Sequence, residues 1–343
     1  WHWFCQFQQS VYRQIQREVL SMRNFKKNIY PVLFLAVIIC MNQILILALK
    51  PCTNFRNDIH KLETNQYDDL FVGTSHGKAG INPEVVDKIT GERSLNLCLG
   101  GEEVQDSYYI IKEACRVNKP KKIIYELDPG YWVSTATLGP EFRTIYDELP
   151  LSSVKVEYYV DKIWKTDFRT TLFPWYLYRK GIKGAKERFV SKFSQAYRNY
   201  DDQFYNQNLQ AYTEKGQIRI HKNDMPKNEN NLILWDKEKL KPEAVKAFEN
   251  IVKLCRDKKI KFMVITMPVP KETLEKYQSN FEKADKFFSA FMEKQGVEYY
   301  NYNYQKIQEF DQSLNGFSDY EGHMYEDQSD IFSDELGKIV KDM

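Results

Sequence analysis

The chain has few of the residue patterns that would mark it for metal, redox or nucleic-acid work. Its six cysteines (5, 40, 52, 98, 115 and 255) lie far apart, with no CxxC and no Cys/His pairing. That spacing argues against a zinc site and against a dense disulfide framework, and the thiols read as mostly buried. Net charge is nearly absent as well, at 49 basic against 47 acidic residues with no basic run. No nucleic-acid partner is written in such totals. Histidine is scarce, only five in 343 residues, so any imidazole chemistry has a short list of candidates.

Charge is missing altogether between Ile29 and Leu49, and Arg23, Lys26 and Lys27 stand just before that stretch. About 20 apolar residues suffice for a helix to cross a bilayer. By the positive-inside tendency, residues 1–28 are expected in the cytoplasm and everything after Lys50 outside it. Asn42 and Gln43, polar in mid-span, are placed to contact a partner helix. The apolar run is too long for a signal-peptide core, and Ala48-Leu49-Lys50 offers no small-x-small cleavage site. Met22-Arg-Asn-Phe-Lys-Lys27 reads as a natural start, with residues 1–21 as an upstream extension. Residues 50–67 read as a polar tether.

What is present after residue 68 is an alternation of strands and helices. Leu70-Phe71-Val72, Ser94 to Leu99, Lys121 to Leu127, Ile260 to Thr266 and Val297 to Tyr300 are apolar runs of strand length. Helical periodicity falls between them, roughly at 83–89, 104–117, 242–257 and 272–294, and again at 327–340. Asn82 is the expected N-cap of the first, with Pro83 at its first position. Such a pattern predicts an α/β fold with a mainly parallel five-stranded sheet, whose ligands bind beyond the carboxyl ends of the strands. Ser75, Gly100, Gly101 and Asp128 all fall at that edge. An aromatic-rich stretch at about 130–230 breaks the rhythm and is expected to be an insertion over the active edge, with aromatics available to stack on sugars.

The chemistry concentrates in Asp69-Leu-Phe-Val-Gly-Thr-Ser-His-Gly77, a strand that breaks into a polar turn presenting the Ser75 hydroxyl. Acyl transfer through serine needs an imidazole to take the proton and a carboxylate to hold the imidazole. Phe317-Ser-Asp-Tyr-Glu-Gly-His-Met-Tyr325 supplies Asp319 and His323. His2, His60 and His221 lie in the extension, the tether or the insertion. His76 is the weaker base, because an adjacent side chain does not readily turn back to its neighbour's hydroxyl; packing or substrate contact is its expected role. This chemistry calls for no cofactor and no metal. Gly73-Thr-Ser-His-Gly77 also fits the elbow of α/β-hydrolases, but that fold places several strands before its nucleophile, and here only one precedes it.

With the serine after the first strand and an Asp/His pair near the carboxyl end, the chain resembles the SGNH (GDSL-like) hydrolase superfamily. Phe71-Val-Gly-Thr-Ser-His76, Leu95-Asn-Leu-Cys-Leu-Gly-Gly101 and the ending Asp319 to Met324 are similar to those of membrane-anchored bacterial members related to the DltD proteins of D-alanyl-lipoteichoic acid synthesis and to alginate O-acetylation proteins. The resemblance covers about 68–128 and 258–343. It implies a three-layer, flavodoxin-like fold, with Ser75 as nucleophile, His323 as base and Asp319 as its orienter. It also implies an oxyanion hole from the Ser75 N–H and a backbone N–H at Gly100 or Gly101. The implied activity is an extracytoplasmic O-acyl esterase or O-acyltransferase on a cell-envelope glycopolymer, with a membrane-bound O-acyltransferase as partner if it transfers. Two departures stand out. The superfamily spaces its pair D-x-x-H, whereas Asp319 and His323 are four apart, which leaves Glu321 or a remote carboxylate as alternative orienters. Asp128 stands where an oxyanion-binding asparagine is expected, which favours, as the alternative, a non-catalytic, membrane-tethered glycan-binding or scaffold accessory.

Overall fold

Strand β1 (Asp69–Val72) is buried along its whole length, and its alternate residues enter two different cores: Leu70 and Val72 one, Phe71 the other. This computed structural model describes residues 2–134, 141–166, 169–228 and 232–343; the parts of the expected insertion at 135–140, 167–168 and 229–231 lie outside them. Ile123 and Tyr125 of β3 (Lys122–Glu126) share the first core, and Ile124 the second. A strand buried on both faces needs no polar side, which is why these segments read as continuous apolar runs.

The sheet has five strands in the order β2-β1-β3-β6-β7, with β2 at Ser94–Asn96, β6 at Lys261–Thr266 and β7 at Glu298–Asn301. Every pairing is parallel, with Leu70 opposite Leu95 and Ile123, and Ile124 opposite Met263. On the first face, α5 (Val104–Val117) and the helices Pro242–Lys258 and Gln278–Gln295 contribute Ile110, Phe248 and Phe288. On the other, α4 (Pro83–Thr90) and the helix Glu326–Asp342 contribute Val86, Phe332 and Leu336. Asn82 caps α4, its side chain accepting from the Glu84 N–H, and Pro83 opens the helix.

Three expectations need correction. Residues 50–67 are not a polar tether: they carry α2 (Phe55–Thr64), whose Phe55, Ile59 and Leu62 are in the first core. Those residues sit at i, i+4 and i+7, one face of a helix. Asp58 of α2 is buried and pairs at 2.5 Å with buried Lys78 of α3 (Ser75–Gly80), with the Tyr212 hydroxyl donating to its other oxygen at 2.6 Å. Of the aromatic stretch, only its start lines the cleft beside Ser75 among the described residues, through Gly130 and Tyr131. Phe142, Ile163, Leu177 and Tyr178 pack instead with Leu49, at the carboxyl end of α1 (His2–Leu49). Finally, the thiols are mixed: Cys98 and Cys255 are buried, Cys52 and Cys115 half-buried, and Cys40 is exposed on α1.

Among the described residues one segment, Ile29–Leu49 of α1, is long and apolar enough to cross a membrane. A hairpin of β4 (Gln210–Tyr212) and β5 (Ile218–Ile220) flanks the edge strand β2, where the Asn96 N–H donates to the Lys215 carbonyl at 3.0 Å.

Candidate active site

The chain turns sharply after β1 because Gly73 lies against β3. A Cβ there would stand 2.6 Å from both the Cβ and the carbonyl oxygen of Glu126, so no larger residue fits without displacing the strand. Thr74 caps α3, and its N–H and hydroxyl both donate to one oxygen of the buried Glu126 carboxylate, at 2.6 and 2.8 Å. Burial pushes Glu126 upward, against the opposing pull of His76. Nothing in the sequence singled out Glu126; its signal was a carboxylate on a strand otherwise buried throughout.

Ser75 follows as the first residue of α3. Its Oγ lies 2.8 Å from His323 Nε2, and His323 Nδ1 lies 2.7 Å from Asp319 Oδ2. The loop carrying the pair is closed by a bridge between Phe317 and Met324, with the Ser318 N–H donating to the His323 carbonyl. Within it, Asp319 Oδ1 accepts from the N–H groups of Glu321, Gly322 and His323 at 3.0, 3.0 and 3.2 Å. Gly322, at φ +121°, permits this wrap. Asp319 therefore reaches the imidazole across four positions, and it is Asp319 rather than Glu321 that holds Nδ1. Burial would raise the Asp319 pKa, but the His323 hydrogen bond and charge and the backbone donors outweigh it and hold it at about 2.

Gly100 lies beside the serine, where a Cβ would stand 3.5 Å from Ser75 Cβ. Gly101 follows it at φ +79°. Asp128 Oδ1 accepts from the Gly130 N–H at 2.8 Å, capping the turn Pro129–Trp132, and Oδ2 lies 3.4 Å from His76 Nδ1. The His76 ring centroid is 4.8 Å from that of His323. Burial works against a charged His76, yet the hydrogen bond and charge of Asp128, with Glu126 and Asp319, raise it to about 9. His76 Nε2 is buried with no hydrogen-bond partner among the described residues.

Ser75, His76 and Asp128 open on a cleft with about 70 Å³ of water-accessible volume and with Leu127, Met267, Val269 and Phe281 in its walls. Residues 232–235 form a further wall that sequence reasoning missed. Trp235 is fixed there by Asn280, which accepts from its N–H at 3.0 Å and donates to its carbonyl at 2.7 Å. Of the aromatic-rich stretch, Tyr131 lines the cleft, whereas Trp164, Phe173, Trp175, Tyr176 and Tyr178 do not. The arrangement can deprotonate a hydroxyl next to a largely apolar cleft.

No family model matches the chain, and no curated protein is significantly similar to it.

Proposed function

We propose that the protein is a membrane-anchored, serine-dependent O-acyl esterase or O-acyltransferase of SGNH type that acts outside the cytoplasm on an acylated cell-envelope glycopolymer. The observation that carries this reading is the hydrogen-bonded chain from Ser75 through His323 to Asp319. The strand order, 2-1-3-4-5 when only the sheet strands are counted, supports a three-layer, flavodoxin-like fold, in which ligands bind at the carboxyl edge. Ser75, Gly100 and Asp128 all follow the ends of strands there. Arg23, Lys26 and Lys27 before the apolar segment support a cytoplasmic amino terminus. Asn42 and Gln43, polar in mid-span, support a partner helix such as that of a membrane-bound O-acyltransferase.

In the proposed reaction the Ser75 proton passes to His323 Nε2 as Oγ attacks the acyl carbonyl, and Asp319 stabilises the imidazolium. The oxyanion lies near the Ser75 and Gly100 N–H groups. Collapse breaks the ester, the leaving sugar oxygen takes the proton from His323, and acyl-Ser75 remains. Water or a second hydroxyl, activated by the same imidazole, then completes hydrolysis or transfer.

The test is p-nitrophenyl acetate turnover by the full chain, with fluorophosphonate labelling. Ser75→Ala and His323→Ala are each expected to lose at least about 10³-fold, and Asp319→Asn at least about 10²-fold. Near-background rates equal in all four proteins, with no label on Ser75, would sink the catalytic reading and favour a glycan-binding or scaffold accessory.

A further inference from the structure

The helices between 175 and 191 pack against the last turns of α1. Their placement rests on α1 as a membrane span and follows from its length. The 21 residues of Ile29–Leu49 give a helix of about 31 Å, the thickness of the hydrocarbon layer. Leu49 is then at its outer boundary, and Leu45 about 6 Å within it. Leu45 packs on the cluster of Leu49, Phe142, Ile163, Leu177 and Tyr178. Side chains in contact with it reach the depth of the headgroups and first methylenes.

The polar contacts agree. Lys192 Nζ donates to the carbonyls of Leu47 and Lys50 at 2.7 and 2.6 Å, and Arg188 Nε to that of Ala48 at 3.3 Å. These cations satisfy the terminal carbonyls of α1, which a bilayer interface would otherwise leave in need of partners. Helix Ala185–Ser191 thus turns Ala185, Arg188 and Lys192 toward α1, while Lys186, Val190 and Phe193 lie together on an adjoining flank. On that flank Val190 is 59% exposed and Phe193 58%, and earlier in the same segment Ile182 is 69% exposed and Leu172 61%. Arg179, Lys180, Lys183 and Lys186 are exposed among them. Large apolar side chains open to solvent and interleaved with cations are the composition of an interfacial helix on an anionic surface.

We infer that the segment from Arg169 to Phe193 is a monotopic platform that lies in the outer-leaflet interface of the membrane α1 crosses, its apolar side chains among the acyl chains and its lysines on anionic headgroups. The occupant of this face is a lipid surface. The platform holds the domain at a fixed height and does not depend on catalysis.

The full chain is reconstituted into vesicles of phosphatidylcholine with phosphatidylglycerol, carrying a genetically encoded fluorescent residue at Ile182, at Ile38 within the span, or at exposed Lys306. Brominated lipids quench only fluorophores in contact with them. The expected result is loss of most emission at positions 182 and 38 and none at 306, with the loss at 182 weaker in phosphatidylcholine alone. The triple variant Lys180→Gln, Lys183→Gln, Lys186→Gln should remove that dependence on headgroup charge. Quenching at 38 without quenching at 182 would overturn the platform and leave the anchor standing. Absence of quenching at both would overturn anchor and platform together. Esterase activity, read separately, bears on neither outcome.

Discussion

Asp128 is the residue whose chemistry most opposes an oxyanion site, and its surroundings show how the conflict is relieved. Its carboxylate is committed on one side to the Gly130 N–H and on the other to His76. A charged imidazole there neutralises it before any oxyanion forms. His76, raised from its ordinary 6.5 to about 9, binds its proton more tightly in the folded than in the unfolded chain. The resulting stabilisation is present in full below about pH 6.5 and is lost as pH rises through 9, at most about 3 kcal/mol. A denaturant midpoint that falls between pH 7 and 9, and is flat over that range in His76→Gln, is the expected result; the same slope in both proteins would reject it. Asp128→Asn should also move the His76 imidazole resonance midpoint from near 9 toward 6.5. No movement would mean that Asp128 is not what holds the proton. Asp319 has the opposite sign: held at about 2, it stabilises above the ordinary carboxylate range, and that contribution goes as pH falls toward 2.

Among the elements, α2 and α3 are joined by a charge pair that neither carries alone. Asp58 and Lys78 are buried at 2.5 Å, and Lys78 is three residues beyond Ser75 on the same short helix. Removing one partner leaves the other buried and unpaired, so Asp58→Ala should cost about 3–5 kcal/mol. It should also slow acyl turnover, because α3 is positioned through this contact. The double variant Asp58→Leu, Lys78→Met should recover most of the stability, and failure to do so would show that shape rather than charge is decisive. How well each element could be read follows from its pattern. The strands were legible because both their faces are buried, so their apolar runs are continuous. Ser75, His323 and Asp319 were legible as a set because few histidines compete and each follows a break in a strand or loop. The helix at 55–64 hid behind its polar residues, although Phe55, Ile59 and Leu62 carried the period. The hairpin at 210–220 gave only two three-residue strands. Pairing across distant segments, as of Asp128 with His76 or Trp235 with Asn280, leaves no local trace.

In the molecule as a whole, the cleft is assembled from segments that no single element owns. Ser75 follows β1, Asp128 follows β3, the wall at 232–235 leads toward the helix Pro242–Lys258, and Glu321 belongs to the loop that precedes the closing helix Glu326–Asp342. His323 is held by the second core: its neighbour Met324 is fully buried with Phe317, Phe332 and Met267. The two cores meet through one sheet, since each central strand supplies both. A site built this way should not come apart before the fold does. In a denaturant titration of the full chain in detergent, fluorophosphonate labelling of Ser75 and far-ultraviolet circular dichroism of the domain are therefore expected to share one midpoint. Met324→Ala, which empties a fully buried site beside the imidazole, should cost about 2–5 kcal/mol and shift both curves together. If labelling were lost at clearly lower denaturant than the circular dichroism signal, the loop bearing Asp319 and His323 would be a separately unfolding unit. The hydrogen-bonded chain to Ser75 would then be a local equilibrium, with its loop closed only part of the time.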